Sequence, residues 1–370
     1  MLNPKPFNHT IGWDVGGAHL KAALLDADGA LLQVLQVSCA LWRGLPELEA
    51  AVDQVLSHFK VKTALHGITM TGELVDLFAN REEGVNAIST LMDAKLNGVK
   101  QFYVGATTSA DFSGFLSLAE VPQSWQSIAS ANWMASACFS ARQLKTLRNK
   151  NHAVLIDIGS TTTDFIPLIN GQLSCLGFSD ASRMQFEELV YTGVIRTPLM
   201  AIAQKINFDL GVTSVAAEFF ATSGDVYRLT GDLLVSEDMA DTADGKDKSL
   251  FASARRIARM VGHDVDDADM MTWQSLAKAF KAKQCERLME VTKAHIDRIA
   301  IAGHGDDVCI IGAGVGHFLV KQIAEKMQRT YMDVSELFNS NIADTQQHQA
   351  SVCLPAYAVA CLIYQCEIAE

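Results

Sequence analysis

The chain has 370 residues, 49% of them hydrophobic and 19% charged, and a formal net charge of −12. That length exceeds one comfortable hydrophobic core and suits two domains of a folded, globular protein. The acidic balance argues against a nucleic-acid partner, and no apolar run reaches the roughly 18–20 residues that span a bilayer. The first residues lack the long apolar segment of a signal peptide. The eight cysteines are scattered with no C-x-x-C pair, so reduced, mostly buried thiols in a cytoplasmic protein are expected.

In chain order, residues 10–15 read as a strand, with 21–25 and 31–37 as its hairpin and meander partners and Asp28-Gly29 as the turn signal. Residues 47–59 have helical periodicity, with Leu48, Val52, Val55, Leu56 and Phe59 on one face, and 64–70 read as a buried strand. Three meandering strands, a helix and a strand match the start of a ribonuclease-H-like half. A helix over 83–92, a strand over 101–104 and a helix over 132–147 lead to a second hairpin, 153–158 and 164–169, with Asn170-Gly171 at its next turn. Residues 178–303 break the repeat. They read as a mainly helical insertion, with helices at 252–261, 273–284 and 286–301 and a mobile acidic loop near 236–248. The Asp-rich run 264–269 lacks calcium-loop spacing and reads as a solvated helix start. A strand over 307–311 enters the glycine run from Gly312 to Gly316, a helix follows over 318–327, and the apolar final helix, 355–368, is expected to dock on the core. The expected fold is α/β, with duplicated ribonuclease-H-like domains around a central cleft, one over 1–148 and the other over 149–370.

The most informative feature is a repeated loop. Asp14-Val15-Gly16-Gly17-Ala18-His19-Leu20-Lys21 recurs as Asp157-Ile158-Gly159-Ser160-Thr161-Thr162-Thr163-Asp164, each time after an apolar strand. A strand-end carboxylate can hold Mg²⁺ directly or through water. The small residues after it let backbone N–H groups approach phosphate oxygens. Either Asp could instead simply cap a turn. Lys21 could reach a phosphate or be an edge-strand lysine, and Thr161 and Thr162 could bind phosphate or serve the hairpin. Asp164 enters an apolar strand, where a carboxylate needs a partner or a metal. Glu73, after the strand 64–70, reads as a base, a metal-shell residue or a helix cap. Arg183 and Arg196 could grip a diphosphate bidentately or form salt bridges. The Gly312–Gly314 turn resembles a dinucleotide fingerprint, but His317 stands where the third glycine belongs. A phosphate or nucleotide-like ligand close to the backbone explains it as well. His19, His66 and His317 read as local hydrogen-bond formers.

These loops and the late Gly-x-Gly turn resemble the phosphate and nucleoside loops of the actin/sugar-kinase/Hsp70 superfamily. More narrowly, residues 14–21, 70–73, 157–167, 196–198, 218–222, 225–227 and 254–260 together resemble the hydantoinase/oxoprolinase-related proteins of tetrahydromethanopterin-linked one-carbon metabolism. His19-Leu20 departs from the more usual Asn-Thr of the first loop. The resemblance implies an enzyme of methanofuran or methylofuran biosynthesis. Such an enzyme joins an aminomethyl-furanmethyl diphosphate to the phenol oxygen of a tyramine or tyrosine derivative and releases diphosphate. It implies Mg²⁺ at Asp14 and Asp157, phosphates cradled by Gly16, Gly17, Lys21, Gly159, Ser160, Thr161 and Thr162, with Gly312 and Gly314 nearby, and substrate contacts from Arg183 and Arg196. Glu73 or Asp164 would accept the phenol proton, beside Asp157 in catalysis. Small-molecule partners are expected, and a homodimer is compatible with the sequence. The alternatives are an ATP-dependent kinase or hydantoinase-like hydrolase using the same loops, and a nucleotide-gated assembly protein.

Overall fold

The computed structural model of the chain describes residues 7–105, 114–146, 152–209, 211–304, 307–338, 342 and 344–369. Strands β1 (Thr10–Val15), β2 (His19–Leu25) and β3 (Leu31–Ser38) form an antiparallel meander. Helix α1 (Leu45–Phe59) leads to β4 (Ala64–Met70), α2 (Arg81–Lys95) to β5 (Gly98–Val104), and β6 (Gly114–Leu116) ends the sheet, followed by α3 (Val121–Ile128) and α4 (Asn132–Leu144). The strand order is β3-β2-β1-β4-β5-β6, with β4 parallel to both β1 and β5. Strand alternation sorts the faces. Ile11, Trp13, Val15, Ile68 and Met70 enter one core with Leu48, Val52 and Val55 of α1 and Val85 and Ile88 of α2. On the opposite face Gly12 stands beside Gly67.

The second half repeats the order. After β7 (His152–Ile158), β8 (Thr163–Ile169) and β9 (Gln172–Leu173) come α5 (Asp180–Gln185), β10 (Leu189–Val190), α6 (Leu199–Ile202) and the hairpin β11 (Lys205–Phe208) and β12 (Gly211–Ser214). Then follow α7 (Ser223–Thr230), α8 (Leu250–Arg259), α9 (Met270–Ile299), β13 (Cys309–Ala313), α10 (His317–Lys326), β14 (Tyr331–Asp333), α11 (Asp344–Val352) and α12 (Leu354–Ala369). The sheet runs β10-β8-β7-β13-β14, with β9 also on β8, and β13 lies parallel to β7 and β14. An antiparallel start followed by two parallel strands in both sheets makes this a duplicated ribonuclease-H-like fold. Asn170 and Gly171 adopt φ of 53° and 64°, the left-handed pair of a tight hairpin turn.

Two compact units emerge: the described residues of Met1–Asn151, Leu168–Phe186 and Val334–Glu370 form one, and His152–Pro167 with Glu187–Asp333 the other. By contacts, β9, α5 and the last two helices group with the first sheet. The cause is α12, which is apolar on all sides and packs on the first sheet. A Cβ on Gly12 would lie 2.1 Å from the Ala356 carbonyl oxygen, and one on Gly67 3.1 Å from the Val359 side chain. The two glycines clear a lane for that helix.

The insertion departs from expectation in three ways. The helices expected at 273–284 and 286–301 are one continuous α9, because Gln284 and Cys285 are both buried along its inner stripe. The β11–β12 hairpin was not expected. The tract near 236–248 is held by ion pairs: Arg228 and Lys248 meet Asp238, and Arg255 and Arg256 meet Asp244. The Asp-rich run does start a helix, with Asp269 capping α9 by accepting from the Thr272 N–H. Six of the eight free cysteines are buried. Burial, with a contribution from Glu47, pushes the Cys39 thiol up to about 11, and burial pushes Cys361 up to about 12. Among the described residues no single helix is long and apolar enough to cross a membrane; α11 and α12 pass that test only as a pair bent by 98°.

Candidate active site

The two Asp-Gly loops close with the same backbone bond. The Gly16 N–H donates to the His19 carbonyl at 3.0 Å, and the Gly159 N–H donates to the Thr162 carbonyl at 2.9 Å. The duplication thus extends from topology to individual atoms. In the first loop a Cβ on Gly16 would meet the His19 carbonyl oxygen at 2.9 Å, and one on Gly17 the Val75 side chain at 2.7 Å. Asp14 pairs with Lys21 on β2 and with Thr69 on β4, so the three share one sheet face. Asp14 is buried and accepts from the Asn132 amide at 3.4 Å. The Thr69 hydroxyl is buried with no partner. Lys21 donates to the Val352 carbonyl at 3.2 Å, at the negative end of α11, so this lysine has a structural anchor of its own.

The second loop is strapped from outside. Gly159 O accepts from Val194 N–H, and Ser160 O accepts from both Ile195 and Arg196 N–H, at 2.9–3.1 Å. Gly193 permits this approach, since a Cβ there would sit 2.5 Å from the Ser160 carbonyl carbon. Gln284 of α9 donates to Thr192 Oγ1 and Gly193 O at 2.8 and 2.9 Å, and Tyr227 donates to Gln284 at 2.7 Å. The Ser160 hydroxyl is buried with no partner, Thr161 and Thr162 are half-buried, and the Arg196 side chain is exposed. Asp157 packs against bare backbone: Gly314 has φ of 78°, and a Cβ there would lie 2.3 Å from Asp157 Oδ1. Gly314→Ala is therefore expected to cost about 1–3 kcal/mol of stability, read from urea unfolding. An unchanged midpoint would show that Asp157 does not need this contact. Gly312 is explained by packing, because its missing side chain is filled by the Tyr331 ring, 2.8 Å from a Cβ there. Asp164 is half-buried on β8, opposite Leu189 of β10.

A third cluster lies in the first unit. Glu73 does not cap a helix. It sits in a short 3-10 turn after β4, is 2% exposed, and accepts from Ser130 Oγ at 2.8 Å. Its Oε2 is buried with no partner. Burial raises its carboxyl pKa; Ser130, the residue's own backbone N–H and Arg81 oppose that rise, and Asp180 adds to it. Asp180 pairs with Arg81 at 2.6 Å. Arg183 is buried, with its guanidinium carbon 3.9 Å from the centre of the Trp133 ring. Ser130 and Asp180 carry no sequence signal, since they converge from a turn and a short helix remote from the loops. Of the three histidines, His66 accepts from Trp13 at 3.1 Å and lies 3.1 Å from the Asn97 carbonyl, and His317 lies 3.1 Å from the Gly314 carbonyl. Among the described residues no three His, Cys, Asp or Glu side chains form a group able to hold a metal.

Two ribonuclease-H-like sheets, each with an Asp-Gly loop after its first strand, make an α/β fold of the actin/sugar-kinase/Hsp70 type. Nucleotide-free acetone carboxylase has a similar fold, with a TM-score of 0.56 at 11% identity, covering 95% of this chain and 70% of that one. The hydantoinase/oxoprolinase family matches residues 65–342, and the chain belongs to that family. It is 27% identical over 354 residues to the (4-{4-[2-(gamma-L-glutamylamino)ethyl]phenoxymethyl}furan-2-yl)methanamine synthase of Methanocaldococcus jannaschii, covering 95% of this chain and 97% of that protein. The synthase of the same name from Methanococcus vannielii is 25% identical over 212 residues, covering 57% of this chain and 90% of that protein. With such relatives, this chain is an enzyme.

Proposed function

We infer that the chain is a transferase of methanofuran or methylofuran biosynthesis. It would couple an aminomethyl-furanmethyl diphosphate to the phenol oxygen of a γ-glutamyltyramine-like acceptor and release diphosphate. One observation carries this reading: the likeness to the Methanocaldococcus jannaschii synthase spans nearly the full length of both chains. In the reaction, the bond between the furanmethyl carbon and the diphosphate oxygen breaks, and its electron pair leaves with diphosphate. The phenol oxygen bonds to that carbon, and its proton passes to a carboxylate.

The residues suit such a leaving group. Taken unit by unit, the orphaned Thr69 hydroxyl beside the first glycine loop and the orphaned Ser160 hydroxyl in the second are each donors that a phosphate oxygen would satisfy. Asp14 in the first unit and Asp157 in the second are each a strand-end carboxylate of the kind Mg²⁺ takes, directly or through water. When bound, Mg²⁺ would neutralise the charge developing on diphosphate. Glu73, with a bare buried oxygen and a raised pKa, would accept the proton; Asp164 is the other candidate.

Incubation with the furan diphosphate and a phenolic acceptor, in Mg²⁺ and without ATP, is expected to yield ether and diphosphate in equal amounts. ATP consumption without ether would sink the proposal. Asp157→Asn is expected to lower coupling at least about 100-fold, followed by diphosphate release, and full turnover in that variant would remove Asp157 from the site.

A further inference from the structure

Ser130 stands between two carboxyl groups with one proton to give. Its hydroxyl is 2.8 Å from Glu73 Oε1 and 3.3 Å from Asp180 Oδ2. Both carboxyls are buried, at 2% and 9% exposure. A hydroxyl donates a single hydrogen bond, so one carboxyl receives it and the other does without. The shorter contact favours Glu73. Asp180 can spare the donor because Arg81 Nη2 approaches its Oδ2 at 2.6 Å.

Helix capping does not account for this serine. Ser130 precedes α4, but the residue at the helix N-cap is Ala131, and no side chain caps there. Its backbone is left-handed, at φ 51°, a conformation that persists in non-glycine residues where the surroundings hold it. The turn directs the hydroxyl inward instead.

We propose that Ser130 and Asp180 are positioning residues for Glu73. The Ser130 hydroxyl fixes Oε1 and leaves the bare Oε2 as the atom that takes the substrate proton, while Asp180, anchored by Arg81, competes for that hydroxyl. The proposal rests on Glu73 being the proton acceptor inferred above. The charged groups facing Glu73 are Arg81 from α2 and Asp180 from α5, with Ser130 the facing hydroxyl. Removing the hydroxyl takes away a bond that stabilises the ionised carboxylate. Removing the Asp180 charge takes away repulsion and releases Arg81, and both effects favour the ionised form.

Two variants and two readouts test this. Ser130→Gly deletes the hydroxyl in a backbone conformation that glycine adopts freely, so the fold is retained; Asp180→Asn deletes the charge. The readouts are the pH profile of coupling and the infrared titration of the Glu73 carboxyl, taken as the difference from Glu73→Gln. In Ser130→Gly the acid limb and the titration are expected to move to higher pH, with coupling about tenfold below wild type at the acid end and converging with it at alkaline pH. In Asp180→Asn both are expected to move to lower pH. A merely structural role would lower activity at every pH without moving the limb. The proposal is overturned if the Glu73 titration stays still in Ser130→Gly, or if both variants move it the same way. The infrared titration needs no turnover, so it separates this failure from failure of the base assignment. Wild-type coupling in Glu73→Gln would overturn the role of Glu73 and this proposal with it.

Discussion

Glu73→Gln is expected to slow ether formation by about 10²- to 10⁴-fold, the usual contribution of a positioned general base, while raising thermal stability at neutral and alkaline pH. The two effects have one cause. Burial favours the neutral carboxyl, so the pKa in the folded state lies above its unfolded value. A group of that kind contributes its stability below the unfolded pKa and loses it as pH rises through the folded one. Glutamine keeps the shape and the bond from Ser130 but has no charge to bury. The gain in thermal midpoint should therefore vanish under acid conditions, where Glu73 itself is protonated. Unfolding scans of both proteins across pH, beside product assays, decide the matter. A variant that couples at full rate would move the base elsewhere, with Asp164 the next to test. A variant less stable than wild type at pH 8 would mean that the ionised carboxylate is satisfied in a way its bare Oε2 does not suggest.

The sheets were legible because strand alternation and turn chemistry are local. Residues 10–15 and 64–70 met their expected bounds as β1 and β4, and Asn170-Gly171 met its turn. The docking of α12 was legible too, since a helix without a polar face must be covered. Features set by contacts between distant residues were not legible. Gln284 looked like a helix boundary, yet it is buried because Tyr227 and Thr192 satisfy its amide. The acidic tract looked mobile because its partners, Arg228, Arg255 and Arg256, lie in α7 and α8. At the candidate site the Asp-Gly loops showed themselves through repetition. Ser130 and Asp180 reach Glu73 across 57 and 107 residues of sequence, as 130 − 73 and 180 − 73, and neither repeats nor lies in a motif.

Asp225→Ala is expected to destabilise the second unit by about 3–5 kcal/mol, the cost of leaving a buried charge without its partner. Asp225 and Arg256 are both 0% exposed and meet at 2.7 Å, and Arg228 reaches the same oxygen at 2.8 Å. Arg228 would keep Asp238, and Arg256 would keep Asp244, the Asp247 carbonyl and the Ser253 hydroxyl. Arg256→Met combined with Asp225→Leu should recover much of the loss, because it removes both charges rather than one. Urea unfolding of the single and double variants measures this, and a single variant within 1 kcal/mol of wild type would refute it. The result bears on how the family resemblance is built. Residues 225–227 and 254–260, two of its segments, supply this ion pair and the buried Val226, Tyr227, Ile257 and Ala258 around it. In these two segments the resemblance rests on the packing of the insertion.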